Sequence, residues 1–177
     1  MSVYKILCED AQNAPAGADG LIFLPFMAGE RSPHWHGGMR GILFGLSLHH
    51  SQAHIIRSLI EGICYRLLSV IKPLEKLIGT SSEIRVTGGF TRSPLWLQIL
   101  ADILGRDLIV TGEPEGSVLG AAAFAYHTLG MIDSFEDMLE RNPIVRTVCP
   151  ETKFHEFYQT QFDRYMHLYW KFQEEFN

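Results

Sequence analysis

Cysteine is scarce: three residues in a chain of 177, Cys8, Cys64 and Cys149. They stand far apart and are odd in number, which excludes a disulfide framework and a paired-cysteine zinc pattern. The expectation is three reduced thiols packed as small hydrophobes. Long apolar runs are missing too. None approaches the roughly 20 residues that cross a bilayer, and the opening MSVYKILCEDAQNAPAGADG lacks the apolar core of a signal peptide. Positive charge is in deficit, with 15 Lys and Arg against 20 Asp and Glu and a net charge of −5. There is no basic stripe, so nucleic acid is excluded as a partner class. The pattern GxxxxGK[ST] is absent, which excludes a P-loop, and so are GxSxG and HExxH. Repeats and low-complexity segments are likewise missing. These absences point to a cytoplasmic protein that binds neither membrane nor nucleic acid.

What is present is the makings of a core. The chain is 46% hydrophobic, ordinary for one globular domain with a small appendage. Residues 10–20, DAQNAPAGADG, are small, polar and turn-rich and read as loop. The run Leu21 to Phe26 reads as a buried strand, 27–40 as loop, and Gly41 to Leu48 as strand with a bend at Gly45. Ser51 is placed to cap a long helix whose apolar positions, from Ile56 to Leu77, recur every three or four residues. Pro73 is placed to kink it and Gly79 to end it.

The densest information lies between Arg85 and Ala125. A strand over Glu83 to Thr87 ends in Gly88-Gly89. Ser93-Pro94 then starts a helix, with a hydroxyl at the N-cap and proline at the first position. A second strand, Asp107 to Thr111, leads through a GEPEG loop to a helix capped by Ser117 and closed by Gly130. Strand–helix–strand–helix predicts a right-handed, partly parallel α/β unit. The small residues Gly120 to Ala123 would let another element approach closely. Ser134 would cap a short helix, FEDMLER. From about Lys153 the aromatics Phe154, Phe157/Tyr158, Phe162, Tyr165, Tyr169, Phe172 and Phe176 make a helical stripe, either core or a partner-binding face.

Several polar constellations have two readings. His34/His36 and His50/His54 have spacings that metals use, but no third ligand is placed to complete a site, so surface or capping roles compete. Glu61 lies beside the apolar stripe of its helix, one turn after Arg57; the pair is a structural ion pair or part of an active-site network. Gly88-Gly89 is a turn or a bare backbone step at the carboxyl end of a strand, where a flat ligand can lie against main chain.

The ordered series of these pieces resembles the C-terminal half of the FGGY family of carbohydrate kinases, gluconokinase-type members most closely. It runs from Gly20–Phe26 through Gly29-Glu30-Arg31-Ser32-Pro33-His34-Trp35, Arg40-Gly41, Gly45–His50, His54, Arg57 and Glu61-Gly62. It continues with Gly88-Gly89, Ser93–Trp96, Gln98–Asp102, Glu115 and Gly120–Ala122. The resemblance implies an α/β, ribonuclease-H-like (actin-like ATPase) domain over residues 20–132. Residues 1–19 would then be an N-terminal loop or remnant, and 133–177 a helical extension packed on the domain. It implies ATP with Mg2+ as cofactors and gluconate as acceptor, with xylulose as the alternative. It also implies that Gly88, Gly89, Phe90 and Ser93 line adenine and ribose.

The sequence departs from the family in two places. The family carries an aspartate just before Ala-Arg-Gly, where this chain has His36 and Met39. The family's general-base aspartate and phosphate-binding hairpin do not appear before Gly20, so the domain reads as truncated at its N-terminus. This chain alone is then expected to hold no catalytic residue and no metal, and to be inactive. Its partners would be ATP, a sugar or sugar acid, and the missing N-terminal kinase domain. A second copy is a further expected partner, pairing through the uncovered sheet edge. A module that binds nucleotide or a protein without chemistry is the other reading.

Overall fold

The computed structural model describes residues 3–81, 83–112, 115–140 and 142–176. Glu113 and Pro114 of the GEPEG loop, and Arg141 of the FEDMLER segment, lie outside them. The chain runs through helix α1 (Val3–Asp10), strands β1 (Ile22–Leu24) and β2 (Ile42–Phe44), and helix α2 (Gln52–Ile78). It continues through β3 (Ile84–Val86), α3 (Pro94–Leu104), β4 (Leu108–Thr111), α4 (Gly116–Thr128) and α5 (Asp137–Glu140). β5 (Ile144–Val148) and α6 (Thr152–Gln173) complete it.

Two small sheets carry the strands. β1 and β2 form an antiparallel pair, and the second sheet has the order β3-β4-β5. In it β3 and β4 run parallel, Ile84 opposite Leu108, joined by the crossover α3. β5 adds to the other side of β4 in antiparallel sense. The central helix α2 spans 27 residues, capped by Ser51 and ended at Gly79 as the sequence indicates. Pro73 sits inside it without ending it. Gly62 lets α2 lie on β1, since a Cβ there would collide with the carbonyl oxygen of Phe23. The core joins α2, α3, both sheets and α6, and Tyr158, Tyr165 and Tyr169 of α6 are fully buried in it. The aromatic stripe is therefore core along its tyrosine face, while Phe157 stays exposed.

Five expectations are corrected. The segment 1–19 is not all loop: Val3–Asp10 is helical, because Cys8 and the following Ala11 bury against the core. Residues 133–177 are not all helical, since Ile144–Val148 pairs with β4. Ser117 lies inside α4, whose N-cap is Glu115, and the C-cap is Leu129, one residue before Gly130. Ser134 does not cap a seven-residue helix. The Asp137 carboxylate accepts from the amides of Asp133 and Ser134, and α5 is confined to Asp137–Glu140. Finally, the small-residue stripe of α4 is open at Gly120 and packs through Ala123, against Ile132 and Met138. Nothing stands within 4 Å of a Cβ built on Gly120, and Ala123 is the buried residue of that helix.

Candidate functional site

The parallel strands β3 and β4 both point their carboxyl ends at one corner, and α3 and α4 both start there. That is the position at which open α/β sheets take ligands. After Val86 the chain turns through Gly88, whose φ of 107° and ψ of 173° belong to glycine. A 3-10 turn over Gly89–Arg92 follows. Its shape is held by Thr91, whose amide (3.1 Å) and hydroxyl (2.7 Å) both donate to the Gly88 carbonyl. Arg146 of β5 clamps it from outside, donating to the Thr91 carbonyl at 2.6 Å. Ser93 is buried, and its hydroxyl accepts from the Trp96 amide at 3.3 Å, capping α3. Gly116 abuts Thr87 at the same corner: a Cβ on it would lie 2.6 Å from the threonine hydroxyl.

A cavity of about 790 Å³ opens against this turn. Gly89, Phe90, Ser93 and Trp96 form one side of it. A Cβ built on Gly89 would meet nothing within 4 Å, so bare main chain faces open space. Three of the four residues singled out from sequence, Gly89, Phe90 and Ser93, therefore line one cavity. Gly88 acts behind them by shaping the turn. α1 with the turn after it completes the lining, through Tyr4, Cys8 and Gln12. The sequence reading did not reach that wall, although Tyr4, Cys8 and Gln12 repeat at a helical spacing of four.

The conspicuous buried carboxylates are engaged elsewhere. Glu61 Oε1 accepts from the Gly17 amide (2.9 Å), Arg57 Nε (2.9 Å) and the Tyr158 hydroxyl (2.8 Å). Burial pushes the Glu61 carboxyl above the usual range, against the pull of Arg57, the Gly17 amide and Tyr158. This network ties α2, α6 and the segment before β1 together, so the structural reading of the Arg57–Glu61 pair holds. Glu30 lies 3.3 Å from Arg66 and accepts from the Tyr169 hydroxyl. Asp102 accepts from the Glu151 amide (2.8 Å) and Gln98 (2.9 Å), with burial raising its pKa.

The histidines serve structure. His54 caps α2 together with Ser51 and meets Asp19 at 3.0 Å. His36 accepts from the Met39 amide at 3.1 Å, and Met39 is fully buried, so the loop that departs from the family pattern folds onto its own side chains. Among the described residues no group of three or more His, Cys, Asp or Glu is placed to hold a metal ion. No helix among them is long and apolar enough to cross a membrane.

Comparison with known proteins agrees with this architecture. The model for the FGGY family of carbohydrate kinases, C-terminal domain, matches residues 5–129. A gluconokinase of Bacillus subtilis is 41% identical over 134 residues, covering 75% of this chain and 26% of that protein. A xylulose kinase of Staphylococcus epidermidis is 34% identical over 160 residues, covering 90% and 32%. Among solved structures, ligand-bound xylulose kinase from Lactobacillus acidophilus superposes with a TM-score of 0.85 at 29% identity, covering 96% of this chain and 35% of that one. The chain thus spans about a third of the length of the relatives it matches. With the family model covering most of its length and the fold superposing on a solved member, this chain belongs to the FGGY family of carbohydrate kinases and carries their C-terminal domain.

Proposed function

We propose that this chain supplies the adenosine-binding part of an ATP-dependent carbohydrate kinase whose acceptor is gluconate. The observation that carries this reading is the open main chain of Gly89 at the carboxyl end of β3, facing a cavity of about 790 Å³. That volume lies within the roughly 300–1,000 Å³ of small-molecule sites. ATP fits there by its nucleoside end: Gly89 and Phe90 receive the adenine, and Ser93 holds the start of α3 in place. The higher identity to a gluconokinase favours gluconate. The longer match to a xylulose kinase keeps xylulose as the alternative.

Phosphoryl transfer also requires a base near the attacking hydroxyl, a cradle for the phosphates and a held Mg2+. The buried carboxylates Glu30, Glu61 and Asp102 are bound in structural networks, and the described residues offer no metal cluster. We place the general base and the Mg2+ site outside this chain's buried carboxylates. Those parts belong to the remainder of the kinase, in the same polypeptide or another.

The surface left for that remainder is β3, at the edge of its sheet, and α4 with its C-cap, where Val118, Phe124 and Leu129 are 65%, 68% and 72% exposed. Without the remainder, the same edge and face drive self-association. The setting is the cytoplasm. Three measurements test the reading. Calorimetric titration with ADP should show binding that Gly89→Trp removes. A coupled ADP-release assay with MgATP and gluconate or xylulose should show no turnover by this chain alone. Replacing the matching C-terminal part of the Bacillus subtilis gluconokinase with this chain should give an active gluconate kinase. Turnover by the isolated chain, or unchanged ADP binding in Gly89→Trp, refutes the assignment.

A further inference from the structure

The carboxyl-terminal half of α2 is packed on three sides. Toward α6, the Tyr65 ring meets those of Tyr158, Phe162 and Tyr165. Lys72 Nζ lies 4.4 Å over the Phe162 ring on that side. Toward the end of α3, Glu75 pairs with Arg106. Toward the loop before β2, Arg66 donates to the Ser32 carbonyl and lies 3.3 Å from Glu30. The fourth side is bare. At about 100° of turn per residue, Leu67, Val70, Ile71, Leu74, Leu77 and Ile78 fall within about 120° of one another. Leu67 and Leu74 are 42% and 48% exposed, Leu77 and Ile78 83% and 72%. This face carries no charged or hydrogen-bonding side chain.

Two features say what covers it. The charges at its borders, Arg66 and Glu75, are neutralised inside the chain by Glu30 and Arg106. The borders therefore offer no charge by which to select an oppositely charged partner, and none that repels an identical face. Two such faces together hold roughly 1,000 Å² of apolar surface, the threshold for a specific interface. The face also matches itself. Laid antiparallel about a two-fold axis, Leu67 stands opposite Ile78 of the second copy and Ile71 opposite its Leu74, since both pairs share one midpoint on the helix.

We propose that this face of α2 docks a second copy of the chain, the two α2 helices packing antiparallel. The surface is separate from the β3 edge and from α4, and pairing through it requires no nucleotide.

The test is light scattering on the whole chain without nucleotide, from about 1 to 100 μM, where a dimer is expected. Leu74→Lys places a charge in the middle of the contact and should weaken association by about tenfold or more. Leu74→Met keeps the face apolar and should weaken it by no more than about threefold. Leu74 is half exposed, so lysine there spares the core, and circular dichroism checks that the variants are folded. Phe124→Lys, on α4, should leave the α2-mediated dimer in place. A second readout fixes the register. In a Cys149→Ser background, Leu67→Cys with Ile78→Cys should oxidise to a covalent dimer, because the two positions lie roughly 17 Å apart on one helix and cannot bridge within a chain. A monomer throughout the concentration range overturns the proposal, and so does a dimer that Leu74→Lys leaves intact. If Phe124→Lys alone gives monomers, α4 holds the copies and the α2 contact falls. A dimer sensitive to Leu74→Lys that does not cross-link overturns the antiparallel packing. None of these outcomes bears on ADP binding at Gly89.

Discussion

Adding one methyl group at each of two neighbouring glycines separates backbone geometry from ligand space. Gly88 has a φ of 107° and a ψ of 173°, a region that residues with a Cβ almost never occupy. Its added Cβ would touch only the Phe90 ring, at 3.8 Å, an ordinary contact. The cost of Gly88→Ala is therefore conformational, about 1–3 kcal/mol. Gly89 has no such backbone, and its added Cβ meets nothing within 4 Å. Gly89→Ala should be neutral, or stabilising by up to about 1 kcal/mol through the unfolded state. For a chain of this size 1 kcal/mol moves the melting temperature by about 2–4 °C. Thermal unfolding followed by circular dichroism should thus show Gly88→Ala melting about 2–12 °C below the wild type, with Gly89→Ala level with it or up to about 4 °C above. Saturating ADP should raise the melting temperature of the wild type by mass action. It should raise that of Gly89→Ala less, because the new methyl group points into the space assigned to the nucleoside in the proposed function. Equal melting temperatures for the two variants, or a larger fall for Gly89→Ala, would refute the division of labour between a strained hinge and an open floor.

Three further outcomes follow from the buried polar groups. Arg57→Leu leaves Glu61 buried without its cation, and urea denaturation should show a loss of about 3–5 kcal/mol; a loss below about 1 kcal/mol would mean that the pair does not hold α2 to α6. Burial raises the Asp102 carboxyl above its unfolded value, so the native state holds that proton more tightly. The contribution is full below the unfolded pKa of about 4 and is lost as pH rises through the folded value. Stability profiles against pH should therefore show the wild type falling relative to Asp102→Asn as pH climbs from about 4, and parallel profiles would count against it. Cys64 is fully buried, and burial followed by the nearby Glu61 pushes its thiol far up, whereas Cys149 is exposed. A disulfide reagent should modify Cys149 in the native protein and Cys64 only after unfolding; rapid native labelling of Cys64 would contradict the packing of α2.

Local chemistry reads directly from the chain. Ser51 and Gly79 bound α2, and Ser93-Pro94 start α3, because capping needs only residues within one turn. The glycine pair after a short β run marks the turn at the carboxyl end of β3 for the same reason: the required φ is a property of one residue. Signals that depend on distant partners were not legible. β5 has almost no buried face, with Ile144 and Val145 more than half exposed, and it exists because β4 offers an unpaired edge 30 or more residues earlier. α1 was obscured by the turn-rich run after it and becomes a wall only where Tyr4 meets Trp96. Sequence by itself determined the family, the α/β alternation and the glycine corner, since each is written in short-range pattern. Tertiary structure alone decided that Glu61 and Glu30 are ties rather than reactive groups, and that the cavity has a second side. Burial and partner choice come from segments about 40 to 140 residues apart brought into contact.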